Sequence, residues 1–409
     1  MRLSAPDIVT RPLLQAGIVF ELILPVMSLD RYWLAGISCT LILVASITAG
    51  KPKSILIEHS STRYFFIFVS LNALAAGATA LSSGKDYSYQ GLIFSIAHYK
   101  VFLLVFACSL LLTISASTTA IAKTLELAFW ACFMLVYLKL WGSTSEPISS
   151  QISSAEMMFF TVPNDSIYLV LLGASAIALS KHFERRLLLI PVTSALMSIH
   201  FESRLALLLS ALSCVALFLK MRDDFAPRTH QIFFAALSLP IIWLLLESNL
   251  GQKIGSTTLW NERLALWWAG ATVWPGILGE GVGSYFLIYE EAKNGGQIPT
   301  FLPLDARPVF WAHNILVEAF YERGVMGLAL IATLFGMVVT SIVIRCSKIS
   351  SWDHFWPLCM FIIGCFIEMS LYNHTTLLLL ALFIFMASLP HQRGAEARLT
   401  RDPFLPRLS

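Results

Sequence analysis

A chain of 409 residues has the length of about two or three soluble domains. Its composition excludes them: 57 % of residues are hydrophobic and only 13 % are charged, where an average globular chain carries roughly 25 % charged residues. With a mean hydropathy of +0.72 and a net charge of only +3, the chain is expected to be an all-α polytopic membrane protein with membrane lipids around it and no nucleic-acid partner.

Crossing the hydrocarbon layer takes about 20 apolar residues in a helix. In chain order, the windows that meet or approach this are Pro12–Leu29, Tyr32–Ala49, Tyr64–Ser83, Leu92–Ser115, Thr124–Trp141, Ser166–Ser180, Leu187–Ile199, Leu205–Leu219, Gln231–Leu250, Val325–Ile344, Phe355–Leu371 and Thr375–Leu389. These predict about 12 transmembrane helices. Residues 1–250 hold the first nine, 251–324 form one large outward loop with short helices, 325–390 hold the last three, and 391–409 form a basic tail. The first run contains Glu21 and lacks a small-residue cleavage pattern, so it is expected to be retained.

Lys and Arg set the orientation. Placing both termini in the cytoplasm puts Lys51, Lys53, Arg185, Arg186, Lys220, Arg222 and Arg345 inside and Arg204, Lys253, Arg263, Lys293 and Arg323 outside. The resulting inward excess is about two to one. Six of the seven cysteines lie in apolar runs and none shows metal spacing, so neither a disulfide nor a zinc site is expected.

Chemistry is expected in the stretch Leu250–Gly327. Trp260, Leu264, Trp267 and Trp268 recur at helical spacing with Arg263 beside them, the pattern of a helix lying at headgroup depth. Its plain alternative is a surface anchor. Gly279-Glu-Gly-Val-Gly-Ser has no preceding strand, so it is read as a tight turn where the backbone bends back toward the membrane, with no bound cofactor. His313 starts the helix leading into the span at Val325, with Asn314, Glu318 and Tyr321 following on one polar face. Arg204 opens a span on the same outward side, where it could instead pair with Glu202. Two arginines on one membrane face suit a pyrophosphate, because the guanidinium fork matches phosphate oxygens and never deprotonates. Glu21, Glu126, Glu368 and Lys100 are weaker buried-charge candidates.

Taken in order, Ser203-Arg204, Arg263 before Gly279-x-Gly-x-Gly-x-x-Phe286, and His313-Asn314-x-x-x-Glu318 with Gly324 and Gly327 resemble the O-antigen ligase and polymerase superfamily. The resemblance covers Ser203–Gly327 by motif and the remainder by topology alone. It implies a GT-C-like, metal-independent, inverting membrane glycosyltransferase with no cofactor. Its site would face the periplasm from the bacterial inner membrane. The donor would be an undecaprenyl-pyrophosphate-linked glycan and the acceptor the lipid A–core oligosaccharide. By motif position, Arg204 and Arg263 would hold the pyrophosphate, and His313 would be the base or position the acceptor. Asn314, Glu318 and Trp267 would line the substrate. The family's further acidic residue falls near Glu368 and Asn373, where either Glu368 substitutes or the role is absent. A polymerase, which takes a second lipid-linked glycan as acceptor, is the nearest rival, followed by a protein oligosaccharyltransferase. From another class, a secondary transporter would also explain twelve spans, but it predicts paired broken helices in two halves.

Overall fold

The computed structural model describes residues 5–26, 31–49, 60–83, 99–115, 117–142, 162–180, 184–201, 203–221, 258–272, 274–302, 312–349, 355–367, 374–387 and 389. Of these, 87 % are helical and no strand occurs among them. The chain forms α1 (Ala5–Ile23), α2 (Arg31–Ala49), α3 (Ser60–Ser83), α4 (Tyr99–Ser115), α5 (Thr118–Gly142), α6 (Val162–Leu179), α7 (Leu189–His200) and α8 (Arg204–Met221). Two short helices of the predicted outward loop follow, α9 (Thr258–Ala271) and α10 (Tyr285–Asn294). Then come α11 (Ile315–Ile349), α12 (Phe355–Ile367) and α13 (His374–Ala387). The predicted span Gln231–Leu250, the segment 143–161 and the basic tail lie outside the described residues.

Four stretches are long and apolar enough to cross a membrane: Val9–Val26, Phe65–Ser82, Thr118–Leu138 and Ile315–Ile344. Shorter apolar helices accompany them, including Phe102–Ser115, Ser166–Leu179, Arg204–Val215, Phe355–Ile367 and Thr375–Ala387. The outside of this bundle carries large apolar side chains in the open, among them Ile47, Phe66, Leu74, Leu81 and Leu138. Such a surface suits lipid and would be a liability in water.

The core is continuous through the bundle. Helix α13 is apolar on every side, and Leu377 to Met386 are all buried, so it runs through the centre. Phe383 stacks on Phe361 of α12 at 4.9 Å between ring centroids, and Phe361 on Phe335 of α11 at 6.0 Å. Polar groups inside the bundle satisfy main-chain acceptors. Tyr168 donates to the Leu22 carbonyl at 2.7 Å, bracing α6 against the end of α1.

Helices α1 and α2 run antiparallel in close contact. Thr10 meets Thr48 at 3.0 Å, and the Ser38 hydroxyl donates to the Gly17 carbonyl at 2.9 Å. A Cβ at Gly17 would stand 2.8 Å from the Ile42 side chain. Small residues at such crossings let backbones approach where lipid gives no hydrophobic drive to pair. The weaker buried-charge candidate Glu126 is accounted for by Arg186, whose Nε lies 3.3 Å from its carboxylate. Glu21 is buried in α1.

Substituting Gly17→Leu should force α1 and α2 apart at a cost of about 1–3 kcal/mol. The expected result is a lower thermal-unfolding midpoint in detergent; an unchanged midpoint would show that the pair is not tightly packed.

Candidate functional site

Helix α11 is too long for one straight crossing. Its 35 residues would reach about 52 Å, against about 30 Å of hydrocarbon. It breaks at Gly324, which takes φ 64° and ψ −160°, and so divides into an entering segment, Ile315–Arg323, and the apolar run beginning at Val325.

A helix broken there loses the two bonds that Val325 and Met326 N–H would give to Tyr321 and Glu322 carbonyls. The glycine-rich loop supplies all four missing partners. Glu280 N–H donates to the Tyr321 carbonyl at 2.9 Å, and Gly281 N–H to the Glu322 carbonyl at 3.1 Å. Val325 N–H donates to Gly276 at 3.3 Å, and Met326 N–H to Ile277 at 3.2 Å. Two main chains therefore meet face to face. A Cβ on Gly279 would stand 2.5 Å from the Arg323 and Gly324 nitrogens, and one on Gly324 would overlap the Ile277 carbonyl. Both positions also require positive φ, 80° and 64°, so only glycine fits. From the bundle, the Thr79 hydroxyl of α3 donates to the Leu278 carbonyl at 2.7 Å and ties the loop down.

The same junction buries charge. Glu318 and Glu322 are one turn apart on α11 and, with Arg323, almost wholly inaccessible. Glu322 accepts from Gly283 N–H at 2.9 Å and from Tyr285 N–H, so it caps α10 from another helix. A carboxylate is favoured there by the helix dipole, and α10's own cap residue, Ser284, makes no side-chain bond of that kind. The Arg323 guanidinium stands 3.8 Å from the other Glu322 oxygen. Losing one member would leave buried polar partners unmatched in a dry interior.

Around this cluster the loop helices build their own small core from Ala265, Leu266, Ala269, Tyr285, Ile288, Tyr289, Ala292, Ile298, Leu302, Ala312 and Tyr321. Tyr285 donates to the Leu266 carbonyl at 2.6 Å. Burial first, then Tyr289 and Glu318 nearby, push its hydroxyl well above the ordinary tyrosine range, against a smaller opposing pull from Arg263. It therefore stays a donor at neutral pH.

His313 sits at the head of α11 with φ 52°, the one non-glycine at positive φ among the described residues. Histidine adopts this region more readily than most side chains, but at a cost of roughly 1–3 kcal/mol. Both neighbours hold it there. On one side Trp267 donates its indole N–H to the Ala312 carbonyl at 3.2 Å. On the other, Asn314 caps α11, its Oδ1 accepting from Leu316 at 3.0 Å and Val317 at 3.2 Å. The Asn314 amide also donates to the Phe366 carbonyl at 3.2 Å, joining the head of α11 to the end of α12.

The fold thus gathers Arg263, Trp267, His313, Asn314 and Glu318 on one side of the bundle. Arg263 precedes Trp267 by one turn of α9, and both are half-buried. The tryptophan stripe is split: Leu264 and Trp268 are exposed while Trp267 turns inward, because Ala265, Leu266 and Ala269 form the buried face of α9. Arg204 is half-buried at the start of α8, where Ser203 caps the helix by accepting from Ala206 N–H at 3.3 Å. Among the described contacts none joins Arg204 to the cluster. Its helix meets α12 where Ser213 lies 3.9 Å from the Met360 sulfur. Glu202, Glu368 and Asn373 lie outside the described residues.

Sequence reasoning passed over Glu322, Arg323, Tyr285 and Tyr289. The signal for the first two was present: Glu318 and Glu322 at one-turn spacing, then an arginine before a glycine, in an apolar run. Comparison with protein-family models and with curated proteins finds no match to this chain.

Gly324→Ala and Gly279→Ala should each cost roughly 2 kcal/mol or more, combining positive-φ strain with a main-chain clash. Faster hydrogen exchange at the Val325 and Met326 amides would accompany the loss. Retained protection in both variants would contradict the junction. Asn314→Ala should cost about 1 kcal/mol through the lost cap, read as a lower unfolding midpoint.

Proposed function

We propose that this chain is an O-antigen ligase: a membrane glycosyltransferase moving glycan from undecaprenyl pyrophosphate to lipid A–core oligosaccharide. In this reading about twelve spans adopt a GT-C-like arrangement in the bacterial inner membrane, with both termini cytoplasmic and the site facing the periplasm. The observation carrying the reading is His313 itself, held in a costly conformation by pinned neighbours, with Arg263 one turn from the tryptophan that does the pinning. Strained residues of this kind concentrate at functional sites.

The chemistry needs few parts. The acceptor hydroxyl attacks the anomeric carbon, the bond from that carbon to the phosphate oxygen breaks, and the anomeric centre inverts. His313 takes the hydroxyl proton or orients the acceptor oxygen, a role an imidazole can fill through either ring nitrogen. Arg263 and Arg204 disperse the charge that collects on the departing pyrophosphate, which is electrostatic stabilisation of the leaving group. Glu318, one turn into α11, and Arg263 both act on the buried Tyr285 hydroxyl with opposite sign. The chain's own arginines and histidine supply each of these roles.

The break in α11 favours a second reading, because transporters bind substrates at interrupted helices. There, however, the exposed half-helix ends are left for substrate and ions. At Gly324 four of those main-chain groups are already taken up by the glycine-rich loop.

Purified protein, the lipid-linked glycan and lipid A–core decide between the readings. Transfer to lipid A–core should fall about 10²–10⁴-fold in His313→Ala. Arg263→Lys should lose activity despite keeping the charge, because the two-pronged phosphate contact is gone. Glycan lengthening without lipid A–core would make the protein a polymerase. If correctly folded protein with bound donor forms neither product, the transporter reading takes over.

A further inference from the structure

The expected outward loop contains a segment that does not belong in water. We infer that the turn Trp274–Leu278 sits at the membrane boundary, with the acyl chains of the bilayer as the partner of its exposed apolar side chains.

Two helices fix the depth of the turn independently. Leu278 is bonded to Thr79, which lies one turn inside the end of the apolar stretch Phe65–Ser82. Ile277 is bonded to Met326, in the first turn of the apolar run that follows Gly324. Both contacts put the turn level with the outermost turn of hydrocarbon-length helices, below the helix ends.

Its backbone suits the boundary of the membrane. Non-helical chain survives in lipid only where its polar groups are satisfied within the protein. The carbonyls of Pro275, Gly276, Ile277 and Leu278 all accept hydrogen bonds, and Pro275 has no N–H to satisfy. Among the described contacts the N–H groups of Gly276, Ile277 and Leu278 make none, so the main chain of the turn belongs at hydrated headgroup depth and its apolar side chains reach the lipid.

Its side chains point the same way. Trp274 is 73 % exposed and Ile277 is 71 % exposed. They adjoin the exposed Val325 and Met326 of α11, and the belt continues over Leu74 and Leu81 of α3, exposed by 69 % and 81 %. Trp274 leans edge-on against Phe320 at 5.8 Å, and tryptophan is a residue enriched at membrane–water interfaces. Elsewhere in the same loop Asn294, Gly295, Gly296 and Gln297 are exposed at the close of α10. Because the exposed apolar face of the turn continues that of two apolar helices, bilayer chains are the occupant it fits.

A photoreactive benzophenone side chain in place of Ile277, or separately Trp274, tests this in the full-length protein. The protein would be reconstituted in phosphatidylcholine vesicles whose acyl chains carry a radiolabel. Leu74 serves as the lipid-facing control and Gln297 as the aqueous one. Illumination should give lipid adduct at 277 and 274 comparable to that at 74 and several-fold above that at 297. Adduct at 74 with only the 297 background at both test positions would overturn the inference. So would adduct that forms only when polyprenyl pyrophosphate is added, which would assign the face to a lipid-linked substrate. The result does not depend on any transferase activity.

Discussion

Main-chain polar groups in an apolar setting must find partners inside the protein, and the break at Gly324 puts that requirement where it is hardest to meet. A helix interrupted inside a bundle leaves carbonyls and amides facing nothing. Here the vacancy is filled by another stretch of main chain from the preceding 50 residues, held to within hydrogen-bond distance because both strands carry glycine where they touch. The arrangement of the loop helices follows from this junction. It brings Gly283 to Glu322, starts α10 over that carboxylate, and sets Tyr285 against α9.

Burying Glu318, Glu322 and Arg323 together would be a poor way to gain stability alone, since desolvation offsets most of the Coulomb attraction. What the cluster provides is a fixed arrangement. The Glu322 carboxylate is shared between the head of α10 and Arg323, so the loop helix and the entering segment of α11 cannot shift independently. His313 stands at the far end of that same segment, between Trp267 and Asn314, and inherits its stiffness.

Much of this was legible in the sequence where a single helix decides the outcome. Apolar runs marked the helices because hydropathy is a local property: Phe65–Ser82 and Thr118–Leu138, two of the four stretches long and apolar enough to cross a membrane among the described residues, fall close to their predicted windows. The helix opening beside His313 and the turn in the glycine-rich stretch were legible for the same reason. What stayed hidden depends on partners distant in sequence. Trp267 looked like one member of an apolar stripe, yet its indole serves a carbonyl 45 residues away. Asn314 was read as a substrate contact on a polar face; the fold commits its oxygen to capping α11 and its nitrogen to Phe366. The spacing of Glu318 and Glu322 marked a buried charge, but not its partner, because that partner is the amide of Gly283 and amides carry no signature in a sequence.

The junction at Gly324 is made almost entirely by atoms that every residue shares. Gly276 and Ile277 meet Val325 and Met326, while Glu280 and Gly281 meet Tyr321 and Glu322, so the two chains must keep step over the same short interval. Away from its glycines the loop is therefore tolerant in spelling and intolerant in length. Side chains at 278, 280 and 282 can drift through evolution with little effect on these bonds. A single inserted or deleted residue between 276 and 281 would put all four out of register at once.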